Sequence, residues 1–507
     1  MRNILKPLLI TTLGIFSTII LSGYLFYKSE FDMAHYGDVS MLLKQNRLDL
    51  FLGLLISIFI LSVFWYIFGK LQIRSFWKKV IPLLLVSGLL QLLVIFFFRT
   101  NFTADWEVVW RIAKELMSNN LSSIQKGGYL YAYPINFGLG VYFIFLNFIS
   151  LDNTYLARIL NVVYSLMTIV ILNKTLLALN PKYEKYSGRF LVLSVLFLPA
   201  IFISNLVYNE VISTMLFLAG VYLSVSSDRP GIKRLILIAI IFSLGNSLRS
   251  IGPLFAFSTI VYFYLMRVYW QKIAFFMVLL VIGFAAPLWL FNAIYRSAGR
   301  IVEPLGKNSV PITAWANIGL TDKYFGYWDQ GESYSMYTND ANWNKKEANK
   351  LYIKGLQNKI NAYQPRGIAT IYYKKLVWLW TEGTYQSVYL GMSHSAPGGY
   401  REETWVSKYF EQNLKQREFF KTPMYYWNLL SLISIFLFIG YIICTRKWFL
   451  LHKEMILALI LLSFIFFYLL WEVKPRYIFL VYPYLQLLAF ISIINLIEIT
   501  KNKWLKD

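Results

Sequence analysis

The sequence predicts an all-α polytopic membrane protein with about twelve transmembrane helices and further helices on its outer face. Of the 507 residues, 57% are hydrophobic and only 15% are charged. The apolar residues form repeated runs of about 20, the length that crosses a bilayer as a helix. Lysines and arginines gather at the ends of these runs, as orientation signals do. The predicted spans are residues 7–27, 48–69, 79–98, 157–179, 189–206, 208–226, 232–248, 252–268, 272–296, 424–444, 454–472 and 476–498.

The net charge of +23 does not indicate a nucleic-acid partner, because the basic residues flank apolar runs. They form the clusters Arg2/Lys6, Lys70/Arg74/Lys78/Lys79, Lys182/Lys185/Arg189, Arg229/Lys233/Arg234, Arg267/Lys272, Arg446/Lys447/Lys453 and Lys501/Lys503/Lys506. With these clusters inside, we expect a multi-pass cell-membrane protein with both termini in the cytoplasm and an uncleaved first span. The lone Cys444 lies in a predicted span, which argues against a disulfide framework or a thiol metal site.

A shorter apolar segment, residues 134–150, would put the first and last basic clusters on opposite sides if it crossed the membrane. We therefore expect it to stay on the outer face as a membrane-embedded element. The chain divides into an N-terminal transmembrane module (1–296) with the outer loop 99–156, an outer-face helical loop domain (297–423) and C-terminal transmembrane helices (424–507). The inside loops are short and contain no Gly-rich phosphate loop, so we expect any chemistry on the outer face.

The outer loop 99–156 begins with a predicted surface helix over residues 105–117. Its apolar residues recur at helical spacing, at positions 106, 109, 110, 113, 116 and 117, which gives one face that can lie on a membrane. Asp105 stands at or just before the helix start, where it either serves as a general base or only caps the helix. Glu107 is a weaker candidate for substrate binding, because an ion pair with Arg111 four residues later also explains it.

Glu210 lies in the motif LVYNEVIS at a tight outer turn between two apolar spans. An acid there is not needed for insertion and is mildly costly. It would orient a sugar hydroxyl or support Asp105, or it is simply a hydrated acid at a helix start. Arg249, in GNSLRSIGP, is one of the few cations predicted to lie outside, where the positive-inside rule does not explain it.

The motif WEVKPRYIFLVYP brings two more outer cations, Lys474 and Arg476, to the start of the last span. Arginine forms forked hydrogen bonds with phosphate, and a cation near a leaving oxygen stabilises a departing phosphate. Pro475 fixes the entry to the span. The alternative is a structural turn in which Glu472 pairs with Arg476 or Lys474.

Tyr129, Tyr131, Tyr133 and Asn136 form an alternating polar-aromatic run that would stack on and hydrogen-bond sugar rings, or that belongs to an interfacial aromatic belt. His394, in an outer loop, is either incidental or part of the site. No cluster has metal-ligand spacing, so we expect no metal and no resident cofactor.

Taken together, these segments resemble the GT-C superfamily of membrane glycosyltransferases, which includes protein O-mannosyltransferases and aminoarabinose transferases. The resemblance rests on the order and sidedness of five motifs across about residues 79–498: ADWEVVWRIAKEL, YLYAYPINFG, NLVYNEVIST, LRSIGPL and PRYIFLVYP. It implies that Asp105 is the essential acid of the first outer loop, with 105–117 and 134–150 as juxtamembrane helices. It also implies a sugar donor on a polyprenyl phosphate, whose phosphate binds Arg476. The loop acids read Asp-Trp-Glu and are not adjacent, which leaves the role of Glu107 and the acceptor open.

The resulting hypothesis is an inverting sugar transfer from a polyprenyl-phosphate sugar, which is a substrate and not a cofactor, to a cell-envelope acceptor. That acceptor is a glycan, teichoic acid, lipid or protein. Asp105 acts as base, and Arg476 stabilises the phosphate with help from Arg249 or Lys474. The alternatives are a transporter or flippase of lipid-linked intermediates, or a glycan ligase or polymerase that uses diphosphate-linked donors. The hypothesis requires Asp105 and Arg476 to converge on one pocket at the outer boundary of the membrane.

Overall fold

The structure is a computed structural model that describes residues 2–32, 39–70, 76–100, 104–150, 154–329, 331–392, 400–412 and 414–504. His394 lies outside this described part. In chain order the α-helices are α1 (Arg2–Phe26), α2 (Arg47–Ile67), α3 (Phe76–Phe97), α4 (Ala104–Met117), α5 (Tyr129–Ala132), α6 (Phe137–Ser150), α7 (Thr154–Leu179), α8 (Ser187–Val195), α9 (Leu198–Ile203), α10 (Glu210–Val225), α11 (Ile232–Leu248), α12 (Gly252–Leu265), α13 (Trp270–Ser297), α14 (Ile312–Gly319), α15 (Lys345–Thr381), α16 (Ser387–Met392), α17 (Trp405–Gln412), α18 (Leu414–Thr445), α19 (Met455–Leu470) and α20 (Tyr482–Trp504).

Single-turn and irregular helical segments connect several of these helices. The 3₁₀ segments are Phe68–Lys70, Ser122–Ile124, Pro134–Asn136, Pro181–Tyr186, Trp448–Leu450 and Pro475–Val481, and Gly331–Asp340 is a π-helical segment. Two short antiparallel strand pairs complete the described chain: β1 (Tyr27–Asp32) with β2 (Val39–Lys44), and β3 (Arg99–Thr100) with β4 (Tyr400–Glu402). The protein is thus predominantly α-helical, as expected, with a β-hairpin after α1 that the apolar pattern did not predict.

Within the described residues, seven helices are long and apolar enough to cross a membrane, or up to eight if the bent segment 122–150 counts as one span. All seven coincide with predicted spans, namely those in α1, α2, α3, α7, α13, α18 and α20. The other five predicted spans correspond to shorter helices: α8 with α9, α10, α11, α12 and α19. A 16-residue helix such as α10 is about 24 Å long, which is less than the ~30 Å hydrocarbon core. The multi-pass character is therefore supported, whereas the count of twelve stays a prediction.

The membrane helices differ in how much of their surface is covered by protein. In the last span, Pro475–Lys501, 89% of the most apolar stretch is buried, whereas the corresponding values are 6% in α2 and 11% in α13. Apolar side chains that no protein covers are stable only against lipid. The last span therefore forms the centre of the bundle, and α2 and α13 lie at its periphery.

The segment 134–150 forms a helix, but not a straight continuation of the preceding one. The axes of Ser122–Ala132 and Pro134–Ser150 differ by 102°, with the break at Pro134, whose ring is incompatible with a helix interior. This geometry fits either a re-entrant element or a broken span, so the expectation that 134–150 does not cross stays open. The start of α6 packs closely on the end of α11, where the backbone of Ser247 meets Gly138.

The two ends of the bundle carry different residues. Glu210 begins α10, and at the opposite end of that helix Lys453 bonds to the Val225 carbonyl and lies 2.7 Å from Asp228. Two lysines of another predicted cytoplasmic cluster contact the C-terminal helix: Lys182 donates to Asn495, and Lys185 lies 2.9 Å from Glu498. Basic clusters thus share one end of the bundle, and Glu210 lies at the other end.

The loop domain 297–423 is largely helical. Its longest element, α15, is interrupted at Gln364 (φ 53°, ψ 172°) because the following Pro365 excludes the α conformation from the residue before it. The C-terminal half of α15 is buried: Lys375, Trp378 and Trp380 lie inside the protein. The β1–β2 hairpin packs against this part of α15, with the Ser29 and Thr381 hydroxyls 2.7 Å apart.

Candidate functional site

Four segments that are distant in sequence meet at the end of the bundle where α10 begins. They are the start of α4, the turn 204–210, the end of α11 and the turn 471–476. Asn161 of α7 holds the second segment by donating to the Ser204 and Leu206 carbonyls. Glu210 follows as the first residue of α10, where the helix dipole favours an anion.

Glu210 is the centre of the charged cluster. Its side chain is 1% exposed, and Oε1 accepts a hydrogen bond of 3.0 Å from Nη1 of Arg249. The same oxygen lies 3.8 Å from Nη1 of Arg476. Arg249 is oriented further by donating to Oδ1 of Asn209 at 2.8 Å. One carboxylate therefore serves two arginines that arrive from different parts of the chain.

Arg476 is almost completely buried, with 6% of its side chain exposed. Its guanidinium carbon lies 5.4 Å from the ring centre of Trp106, 5.2 Å from that of Tyr208 and 5.7 Å from that of Tyr477. Aromatic rings at such distances stabilise a cation, most strongly when water is excluded. Within the described part of the chain, Nη1 of Arg476 and Oε2 of Glu210 are buried and have no hydrogen-bond partner. Nη1 of Arg476 is therefore a hydrogen-bond donor that can bind a further acceptor.

The acid predicted as a base reaches this cluster through a series of hydrogen bonds. Asp105 lies in the first turn of α4, as predicted, and accepts a hydrogen bond from the Tyr129 hydroxyl. Nδ2 of Asn136 donates to that hydroxyl at 2.8 Å, and the Tyr208 hydroxyl donates to Oδ1 of Asn136 at 3.4 Å. The ring of Tyr208 in turn faces the guanidinium of Arg476. Asp105 and Arg476 are therefore near neighbours, whereas their convergence on one pocket at the outer boundary stays a prediction.

The turn 471–476 contains Glu472 and Lys474, the acid and the lysine of the alternative in which this segment is only a structural turn. Glu472 is buried and accepts a hydrogen bond of 3.0 Å from the Tyr477 hydroxyl. Burial raises the pKa of Glu472, and the nearby Lys474 opposes that rise. Nζ of Lys474 lies 4.8 Å from the ring centre of Tyr327 in the loop domain. Glu472 and Lys474 thus fix the turn, while the side chain of Arg476 faces the cluster around Glu210.

The remaining predicted binding residues occupy different surroundings. Tyr133 is half-buried and stacks on Tyr334 at 6.2 Å, so it lies where the segment 99–156 contacts the segment 297–423. The Tyr131 hydroxyl donates to Glu303 at 3.2 Å, which directs that side chain into the loop domain. Glu107 is exposed, on a different side of α4 from Trp106, which is buried.

The proposed partner of Glu107 has another neighbour. Arg111 lies 3.8 Å from Glu115, one helical turn further on. This spacing is an ordinary i,i+4 surface pair. Of the predicted site residues, Asp105, Asn136, Glu210, Arg249 and Arg476 are therefore joined directly or through one intermediate side chain.

Several members of the cluster were not singled out from the sequence. Trp106, Tyr208, Asn209 and Tyr477 each adjoin a predicted site residue within its motif, so their proximity in sequence was the available signal. Gln386 had no such signal: it lies in the loop domain, and its Oε1 accepts from the Arg476 backbone N–H at 3.4 Å.

In this arrangement the buried guanidinium of Arg476 lies near the half-buried carboxylate of Asp105, at the end of the bundle opposite the basic clusters. Among the described residues, Nη1 of that guanidinium has no hydrogen-bond acceptor. Such a pair can bind an anionic group and accept a proton close to it. Among the described residues, no group of three or more His, Cys, Asp or Glu side chains is arranged to hold a metal ion. A comparison with protein-family models found no match, and a comparison with curated protein sequences found none either.

Proposed function

We propose that the protein is a membrane glycosyltransferase that moves a sugar from a polyprenyl-phosphate donor to a hydroxyl group of a cell-envelope acceptor on the outer face. The observation that supports this most strongly is the buried Nη1 of Arg476, which has no hydrogen-bond acceptor among the described residues. It is linked through Tyr208, Asn136 and Tyr129 to the carboxylate of Asp105. A cation for the leaving phosphate and a base for the acceptor are the two groups that such a transfer needs at one place.

The hydrogen-bonding capacity of Arg476 favours an anionic ligand. Oε1 of Glu210 lies 3.0 Å from Nη1 of Arg249 and 3.8 Å from Nη1 of Arg476, and Asp105 and Glu472 also act electrostatically on Arg476. Among the described residues, Nη1 of Arg476 nevertheless has no hydrogen-bond acceptor. A phosphate oxygen bound there would supply that acceptor in a charge-assisted hydrogen bond.

The proposed reaction is a single displacement at the anomeric carbon. The acceptor oxygen forms a bond to that carbon while the bond from the carbon to the phosphate oxygen breaks. The acceptor proton passes to the carboxylate of Asp105, and the electron pair of the broken bond leaves with the polyprenyl phosphate. Arg476 stabilises the charge that develops on the leaving oxygen, and Glu210 and Arg249 keep the guanidinium in place.

The proposal is tested by measuring sugar transfer with the full-length protein in proteoliposomes that contain a panel of radiolabelled polyprenyl-phosphate sugars. Asp105→Asn keeps the shape of the side chain but removes the base, so we expect transfer to fall by about 10²- to 10⁴-fold. Arg476→Lys keeps a positive charge but loses the planar fork. We expect it to weaken donor binding, measured as an increase in the donor KM.

Glu107→Gln is the matched control, because it makes the same chemical change on an exposed side chain two residues away. It should transfer at nearly the wild-type rate, and all variants should elute as folded protein with unchanged thermal midpoints. Near-normal transfer by folded Asp105→Asn would refute the base assignment. Movement of the labelled lipid between leaflets, without formation of a glycosidic bond, would refute the transferase and favour a flippase.

A further inference from the structure

A cavity of about 410 Å³ lies beside the Arg476 cluster, between the β1–β2 hairpin, the turn 382–386 and the start of α18. Gln386 forms part of its wall, and the same side chain accepts from the Arg476 backbone N–H at 3.4 Å. Gln386 therefore contacts both the cavity and the backbone of Arg476. The volume is within the range of small-molecule sites, about 300–1,000 Å³.

The wall at Gln386 is made by an unusual turn. Gly383, Tyr385 and Gln386 all have positive φ, at 70°, 55° and 57°. Tyr385 and Gln386 are not glycine, so a left-handed backbone conformation is energetically unfavourable at each of them. The turn is held from within by Glu382, whose carboxylate accepts from the backbone N–H and the hydroxyl of Thr384. Strain of this kind persists where the surroundings enforce it, and it concentrates at ligand sites.

The charges along the cavity argue against an anionic ligand. The carboxylates that line it are Glu30, Asp49, Glu382 and Glu418, and the amines are Lys28, Lys44 and Lys421. Burial raises the pKa of Glu382 to about 7, so this acid is only partly charged at neutral pH and the other three acids balance the three lysines. Two of the lysines are already paired: Lys28 lies 2.6 Å from Glu30, and Lys421 lies 2.7 Å from Glu418. A phosphate would therefore meet no excess of positive charge here.

The same wall suits a neutral ligand with many hydroxyl groups. Tyr425 and Tyr426 both line the cavity, and their rings lie 5.3 Å apart at 88° to each other. Amide side chains from Gln45, Asn46 and Gln386 line it as well. Flat apolar faces combined with amide and carboxylate groups match a sugar, whose ring has apolar faces and a rim of hydroxyls.

We propose that this cavity is the acceptor site, and that it binds a neutral saccharide portion of the acceptor next to the phosphate-binding Arg476. The inference rests on the proposed function, because it assigns the second substrate of that reaction to a separate cavity. The donor and the acceptor would then bind on opposite sides of Gln386. The donor phosphate would bind at Arg476, and the acceptor hydroxyls would lie in the cavity.

The test is saturation-transfer NMR on the full-length protein in nanodiscs, with a panel of methyl glycosides of glucose, galactose, mannose and N-acetylglucosamine as probes. Thr422→Trp fills the cavity from α18, where Thr422 is exposed and lines the wall. We expect at least one glycoside to bind and Thr422→Trp to weaken its binding by about tenfold or more, as overfilling a packed site does. Phe419→Trp is the control, because Phe419 is 73% exposed on the same helix and does not belong to the cavity lining given by the structure.

A second measurement does not depend on the tryptophan adopting one rotamer. In a Cys444→Ser background, a bound glycoside should slow maleimide labelling of Thr422→Cys but not of Phe419→Cys. No binding by any glycoside, or binding that survives Thr422→Trp with no protection of Thr422→Cys, would overturn the proposal. Glycoside binding together with an absence of transfer from every lipid-linked donor would instead refute the proposed function and leave the cavity as a saccharide site. Transfer whose acceptor KM is unchanged in Thr422→Trp would refute the acceptor site alone.

Discussion

Replacing Glu210 by glutamine should destabilise the protein strongly, because Glu210 is the acid that lies within 4 Å of both Arg249 and Arg476 among the described residues. The distances of 3.0 Å and 3.8 Å from Oε1 to the two Nη1 atoms correspond to gross attractions of about 5.5 and 4.4 kcal/mol at an effective dielectric constant of ~20. Much of this only offsets the desolvation of the three groups. Breaking a buried pair on one side costs about 3–5 kcal/mol, since the other charge stays buried and uncompensated.

The assay is unfolding of the purified protein by titration with SDS, with the thermal midpoint as a second measure. Asn209→Ala is the graded control: it removes the 2.8 Å hydrogen bond to Arg249 but no charge, so we expect a loss of about 1.5–3 kcal/mol. In the double variant Glu210→Gln/Arg249→Met, part of the cost should return, with an interaction energy of about 0.5–3 kcal/mol. A Glu210→Gln variant within about 0.5 kcal/mol of wild type, the range of ordinary surface substitutions, or strict additivity in the double variant would refute the shared-charge argument.

Two further predictions concern the turn of Glu382 and the packing of α6. Burial raises the pKa of Glu382 to about 7 from an ordinary 4.5, so between about pH 4.5 and 7 the folded protein keeps a proton that the unfolded chain has released. The free energy of unfolding should therefore fall as pH rises through this window, by up to about 1.4 kcal/mol per pH unit. In Glu382→Gln, the difference between the thermal midpoints at pH 5 and pH 8 should become smaller than in the wild type. An unchanged difference would contradict the raised pKa of Glu382. Gly138→Ala should displace α6, because a Cβ there collides with the Ser247 backbone, and should lower both stability and sugar transfer. Gly440→Ala in α18, where a Cβ meets no neighbour within 4 Å, should leave both nearly unchanged, and equal effects of the two variants would contradict the predicted contact.

The membrane spans were the most predictable part of the fold, because a helix that crosses lipid must satisfy its backbone internally and present apolar side chains. The seven long apolar helices coincide with predicted spans. The amphipathic pattern likewise predicted α4, observed at Ala104–Met117. The β1–β2 hairpin was not predicted, because strand pairing depends on a partner that a local pattern does not reveal.

The charged residues that the structure brings together are those that conflicted with their surroundings in the sequence. Glu210 and Arg476 were noticed because an ionisable group beside an apolar span is costly and needs a reason. Tyr131 was grouped with Tyr133 on composition alone, yet the two rings face different neighbours, Trp343 and Tyr334. Which side of a short helical turn a tyrosine occupies depends on the bend at 133–134, and the run of tyrosines did not contain that information.

Gln386 marks the limit of the sequence argument in another way. A glutamine in a polar loop carries no signal of its own, and its importance arises from the left-handed turn that sets it between Arg476 and the cavity. The turn depends on Glu382, which is buried at the end of α15. The next residue, Gly383, packs against Met424 and Tyr425 of α18. Sequence patterns report conflicts between a residue and its local environment, such as an arginine at the start of a span. They do not report residues whose role is created by tertiary packing, and the wall between the two proposed substrate sites belongs to this second kind.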